Sequence, residues 1–173
     1  MQKPQTGYSA ASITIHWLTA FFIVALFLTG EGNREIVKIH IAAGAIVGIF
    51  LVWRVLRRSL KGMAEKPDQH RFLYTLSKFT IWGMMIAIII ATLTGYFLPW
   101  TRGSAINIFD IVSIPSPMAL NPALHEMVEA LHDLSGHAFI PLVGLHTIGA
   151  IKHHFIDKDT VLKRIFSPVK SGK

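Results

Sequence analysis

Two histidines, His132 and His146, lie fourteen residues apart. At 100° per residue they fall about 40° from eclipsed on one helix face, roughly 21 Å apart along the axis. The segment between and beyond them, LHDLSGHAFIPLVGLHTIGAI, is apolar enough to sit in lipid. A bilayer hydrocarbon core is about 30 Å thick, so such a helix would carry one imidazole near each membrane surface. Ionisable side chains in that setting are expensive and point to function. The chemistry that suits this spacing is the gripping of two stacked metal centres.

The elements that must position these histidines are helices. The chain has 173 residues, 51% hydrophobic and 16% charged, where a soluble domain carries about 25% charged residues. The deficit is concentrated in four apolar stretches, about Ile13–Thr29, Ile39–Leu56, Phe79–Leu98 and Leu134–Ile151. Each has the length a helix needs to cross a bilayer, and within lipid a backbone of this kind must satisfy its own hydrogen bonds. The expected fold is all-α, a four-helix transmembrane bundle forming one membrane-embedded domain over residues 1–173. The first stretch lacks the charged start and small-residue cleavage site of a signal peptide, so it reads as a retained helix. With no cysteine, disulfides, Cys-ligated zinc and iron–sulfur clusters are excluded.

Charge sets the expected orientation. Lys3, the group Arg54, Arg57, Arg58, Lys61, Lys66, Arg71 and Lys78, and the tail Lys152, Lys158, Lys163, Arg164, Lys170 and Lys173 share one side; Arg34, Lys38 and Arg102 remain for the other. By the positive-inside rule both termini are cytoplasmic. The net charge of +7 is then accounted for by topology and contacts with membrane lipid, without a nucleic-acid partner. Trp17, Trp53 and Trp100 suit interfacial anchoring. The first connection is short, so helices one and two are antiparallel neighbours. The third, about Pro99–Asp133, is long and broken by prolines. Its final part, NPALHEMVEALHDL, reads as an amphipathic extension of helix four, with Asn121 as the cap and Pro122 at the first position.

Orientation sorts the histidines by depth. His16 opens helix one on the inner side and matches His146; His40 opens helix two on the outer side and matches His132. Two depth-matched pairs from three helices fit bis-imidazole ligation of a planar porphyrin, which takes one nitrogen on each face. Zinc would want a third or fourth ligand nearby, and none is available. Arg54, fourteen residues after His40, shares its face at the inner depth; it would pair with the propionates of an inner haem or serve as a topology signal. Gly44, one turn beyond His40, would let a porphyrin lie against the backbone or would serve helix packing. His153, seven residues after His146, is the rival inner ligand. His70 and His125 fall in polar connections and are expected to be solvated, His137 points elsewhere, and His154 is interfacial.

These residues resemble the bacterial cytochrome b561 family of small dihaem inner-membrane proteins. The likeness is carried by HW at His16–Trp17, by H-x-x-x-G at His40–Gly44 with Arg54 fourteen residues later, and by LHDLSGHAFIPLVGLH followed by HH and KDTVLKRI. It spans nearly the whole chain. It implies a multi-pass protein of the bacterial inner membrane with two haem b, one on His16 and His146 and the other on His40 and His132. It further implies electron exchange between an outer-side donor and a membrane quinone, ubiquinone in the branch that oxidises superoxide. The outer connections carry Arg34, Lys38 and Arg102 against Glu31, Glu35, Asp110, Glu126, Glu129 and Asp133. That acidic balance suits a small basic redox protein as donor better than an anionic radical. Two other readings stay open at this point: the cytochrome subunit of a larger oxidoreductase such as a hydrogenase, and a haem-free transporter whose histidines relay protons.

Overall fold

The computed structural model describes residues 7–60 and 70–168. Four helices make up nearly all of it: α1 Ala10–Gly30, α2 Arg34–Leu60, α3 Arg71–Thr101 and α4 Pro122–Phe155. All four are long and apolar enough to span a membrane. Large apolar side chains face outward along them, with Phe21, Leu28, Ile49, Phe79, Leu134 and Ile148 each more than half exposed. Outward apolar faces of this extent belong in lipid.

The helix starts follow from local chemistry. Ser9 caps α1 by accepting from the Ser12 amide at 3.3 Å. Asn33 caps α2, its Oδ1 accepting from the amides of Glu35 and Ile36, each at 3.1 Å. The short link from Glu31 to Asn33 folds α2 back along α1. Asn121 accepts from the Leu124 amide at 3.1 Å and Pro122 occupies the first helical position, as its sequence suggests. From there α4 runs unbroken for 34 residues, about 51 Å at 1.5 Å per residue, so the amphipathic extension and the membrane segment are one helix. Pro141 lies inside it, between the two histidines.

The helices extend past the apolar stretches. Arg54, Arg57 and Arg58 lie on the last turns of α2, and Arg71 and Lys78 on the first turns of α3. The basic residues therefore crown helix ends. Lys3, Lys61, Lys66, Lys170 and Lys173 lie outside the described residues.

The connection from α3 to α4 departs from the expected irregular loop. It contains an antiparallel hairpin, β1 Ile106–Ile108 paired with β2 Val112–Ile114 in the register Ile106–Ile114 and Ile108–Val112. Its turn holds Phe109 at φ 50° and Asp110 at φ 57°, closed by the Ile111 amide donating to the Ile108 carbonyl at 3.0 Å. Positive φ at both central positions normally selects Asn-Gly or Asp-Gly, so Phe-Asp concealed the turn. Ile106 is almost fully buried where β1 meets α2 and α3. The Asn121 amide then donates to the Thr101 carbonyl at 2.9 Å, which starts α4 beside the end of α3.

As a result α4 packs along α3, α3 along α2, and α2 along α1, whereas α4 has scant backbone contact with α1 or α2. Gly48 permits the close crossing of α2 and α3: a Cβ there would sit 2.9 Å from Thr92 Cγ2 and 3.3 Å from the Tyr96 ring. The Tyr96 hydroxyl donates to the Ala45 carbonyl across this crossing. At mid-depth Leu51, Val55, Met85 and Ile88 form the buried core, with Ile23, Val47 and Phe139 packed against it. Those last three lie seven residues after His16, His40 and His132, so an apolar layer separates the two ends of the bundle.

Candidate haem-binding site

The two depth-matched histidine pairs meet. The rings of His40 and His132 have centroids 6.0 Å apart at an interplanar angle of 88°, at the hairpin end. Those of His16 and His146 are 6.3 Å apart at 57°, at the basic end. Neither pair is in stacking contact or hydrogen bonded. A metal–nitrogen bond of about 2 Å, with the ligating nitrogen about 1 Å from its ring centroid, puts two axial imidazoles about 6 Å apart across one ion. Both separations match. The pairs also span the seam where α4 is scarcely approached by α1 or α2, which is where a flat group could enter.

At the hairpin end the hydrogen bonds select the free nitrogen. His40 Nδ1 donates to the Leu26 carbonyl at 2.7 Å. His132 Nδ1 lies 3.0 Å from both the Ala91 carbonyl and Thr94 Oγ1. A carbonyl can only accept, so each Nδ1 carries the proton. Thr94 spends its own proton on the Ile90 carbonyl at 2.7 Å, which leaves its oxygen as a second acceptor for His132. Both Nε2 lone pairs are thereby free, the tautomer a metal ligand requires, and ligand histidines are oriented by such bonds. Two glycines seat the rings: a Cβ at Gly30 would lie 3.3 Å from His40 Cε1, and one at Gly95 3.2 Å from His132 Cε1.

Two further glycines leave open space beside the hairpin-end histidines. A Cβ on Gly44 would meet only Leu26 Cδ2, at an ordinary 3.8 Å, so helix packing does not demand glycine there. One turn after His132, a Cβ on Gly136 would meet nothing within 4 Å. HIAAG on α2 and HDLSG on α4 thus place a bare stretch of backbone on the same side of each hairpin-end histidine. H-x-x-x-G therefore occurs twice in the sequence, at His40–Gly44 and at His132–Gly136.

The basic end is built differently. Arg54 Nη2 donates to His16 Nδ1 at 3.3 Å, while Arg54 Nε is buried with no partner. A buried guanidinium nitrogen without an acceptor is costly; a carboxylate arriving beside it, such as a haem propionate, would satisfy it. At the hairpin end the donor set, the ring spacing, the free Nε2 atoms and the open backbone fit haem; at the basic end the ring spacing and the unpartnered Arg54 Nε fit it, and Arg54 Nη2 would leave His16 Nδ1 as that nitrogen takes the proton a free Nε2 requires.

Of the remaining histidines, His154 has its Nδ1 buried without a hydrogen-bond partner, and the others have partners elsewhere. His153 Nδ1 bonds Asp159 Oδ2 at 2.7 Å and lies 3.2 Å from Asp157 Oδ2, while Lys152 binds Asp157 at 2.6 Å. This cluster ties the segment after α4 to its last turn, and the His16 ring faces His146. Trp17 adds to the same closure, donating from Nε1 to the Ile165 carbonyl at 3.1 Å. His70 is exposed and caps α3. His125 corrects the expectation of a solvated loop residue. It sits in the first turns of α4 with its side chain only 13% exposed. Its Nδ1 lies 2.8 Å from Thr101 Oγ1, and Arg102 Nε donates to its Nε2 at 2.7 Å. Its partners come from the end of α3, distant in sequence, which its local polarity did not reveal. His137 turns towards α1, its Nε2 3.6 Å from Glu31 Oε1.

Comparison with known proteins identifies the family. A family model described as prokaryotic cytochrome b561 matches residues 7–168. The chain is 26% identical over 178 residues to "Cytochrome b561 homolog 2" of Escherichia coli (strain K12), covering 95% of this chain and 93% of that protein. It is 26% identical over 176 residues to "Probable superoxide oxidase CybB" of Yersinia pestis, covering 95% and 98%. The chain therefore belongs to the prokaryotic cytochrome b561 family, as a multi-pass, haem b-binding electron-transport protein of the bacterial inner membrane.

Proposed function

We propose that this chain is a single-domain dihaem cytochrome that exchanges electrons between a donor on the hairpin side and quinone in the membrane. His40 and His132 would hold one haem b, and His16 and His146 the other. Haem held by both histidines of a pair would supply one-electron chemistry, which suits the site to electron transfer and not to oxygen binding. The chain's residues hold the rings in register, fix their tautomers at the hairpin end, offer Arg54 to a carboxylate, and keep water out with the Ile23–Val47–Phe139 layer. The observation that carries this reading is the pair of matching ring separations, 6.0 and 6.3 Å. With the basic end cytoplasmic by the charge pattern, the donor side faces outward.

A pyridine haemochrome assay tests the assignment. Two haem b per chain are expected, falling to one on His132→Ala or His146→Ala; full haem content in those variants would refute it.

Two donors are supported by different observations. The name of the Yersinia pestis relative supports superoxide. The hairpin-end surface supports a small basic redox protein. Lys38 is paired with Glu35 at 2.9 Å and Arg102 with Glu129 at 3.4 Å, while Glu126 and Asp133 stand exposed on α4. Stopped-flow haem reduction by superoxide and by a basic cytochrome, compared at matched concentrations, decides between them.

A further inference from the structure

We infer that the bundle makes its hairpin-end haem site the more reducing of the two, and that Thr94 and Arg54 are the positioning residues that set the difference. The inference rests on the dihaem reading above and adds an order of potentials to it.

The contrast lies in what the second ring nitrogens of His40, His132 and His16 face. At the hairpin end both Nδ1 atoms face acceptors only. His40 meets the Leu26 carbonyl at 2.7 Å; His132 meets the Ala91 carbonyl and Thr94 Oγ1, each at 3.0 Å. An imidazole that donates its far proton to an acceptor becomes a more basic ligand. A more basic ligand stabilises the oxidised, more positively charged iron, so the site holds an electron less tightly. Thr94 is placed for this by its own helix. Its proton is committed to the Ile90 carbonyl at 2.7 Å, so towards His132 the hydroxyl can only accept.

At the basic end the relation is inverted. His16 Nδ1 faces the Arg54 guanidinium at 3.3 Å, a group with donors and no acceptor. Where His16 Nε2 takes the haem, its Nδ1–H finds no acceptor in this guanidinium, so the basicity of His16 is not raised, and the positive charge disfavours the oxidised iron, strongly so away from bulk water. The sign does not depend on where the guanidinium points. If it turns to a haem propionate through its unpaired Nε, it cancels a negative charge that would otherwise favour the oxidised iron. Removing Arg54 lowers the potential of that site either way.

Redox titration of the purified two-haem protein, followed optically and by electron paramagnetic resonance, tests this. The wild type is expected to titrate in two waves. Thr94→Val should raise the lower wave alone, by part of the full effect because the Ala91 carbonyl remains, and Thr94→Ser should restore it. Arg54→Gln should lower the upper wave alone, with a tenfold change in its reduced-to-oxidised ratio reading as a shift of about 59 mV for one electron. If Arg54→Gln fails to retain both haems, the Thr94 variants decide alone: Thr94→Val must still raise the lower wave. The inference is overturned if Thr94→Val moves the upper wave, if Arg54→Gln moves the lower one, or if two haems are present and neither variant shifts either. A wild type with fewer than two haems would sink the dihaem reading instead, so the two failures are distinct.

Discussion

A Gly136→Leu substitution is expected to weaken the protein's hold on its hairpin-end haem while leaving the helices intact. Gly136 lies four residues after His132 on the same face of α4, and a Cβ built there meets no heavy atom within 4 Å. The polypeptide alone gives no reason for glycine. Replacing a helical glycine by a better helix former stabilises a helix by roughly 0.5–1 kcal/mol, so the bundle without haem should be unharmed or slightly stabilised. If a macrocycle occupies the space, the added side chain overpacks it at about 1–3 kcal/mol. At about 1.4 kcal/mol per tenfold, that weakens haem retention roughly five- to hundredfold. The assay is haem content by pyridine haemochrome beside helical content by circular dichroism. Expected values are fewer than two haems per chain, falling towards one on dilution, with the helical signal unchanged, and Gly136→Ala should lie between. Two haems and an unaltered spectrum in Gly136→Leu would refute the placement of a porphyrin beside α4.

Three further outcomes follow from the structure. Gly48→Ala places a Cβ 2.9 Å from Thr92 Cγ2, so the Thr92 side chain must shift or α2 and α3 must separate, at a cost of about 1–3 kcal/mol; a thermal melt of the holo-protein should show a lowered Tm, and an unchanged Tm would contradict the crossing. His153→Ala should keep both haems while freeing the segment after α4, seen as faster proteolysis beyond Phe155; a fall to one haem would instead make His153 the ligand. Glu126→Lys combined with Asp133→Lys should slow reduction by a basic cytochrome at low salt, with the effect vanishing as ionic strength rises, and should speed reduction by superoxide; rates indifferent to both changes would mean that neither donor approaches along this face of α4.

Much of the architecture was legible in the residues because a backbone crossing lipid must satisfy its own hydrogen bonds. Long apolar runs had to be helices, and the period of the helix then placed His16, His40, His132 and His146 at two depths without any tertiary information. The Asn121–Pro122 start of α4 was equally readable, since capping is a local affair. What depended on distant segments meeting was hidden. The Phe109–Asp110 turn carries no glycine signal, so the hairpin that starts α4 beside α3 emerged only from its packing against α2 and α3. The acceptors that hold the ligand rings, Leu26, Ala91 and Thr94, belong to helices other than the histidines they orient, as do Gly30 and Gly95. Periodicity within one helix says which face a side chain takes; it is silent on which backbone carbonyl of a neighbouring helix faces that side chain. Sequence alone therefore determined which imidazoles share a depth, whereas only the tertiary structure decided which ring nitrogen is left free to bind, because a tautomer is set by a partner distant in the chain.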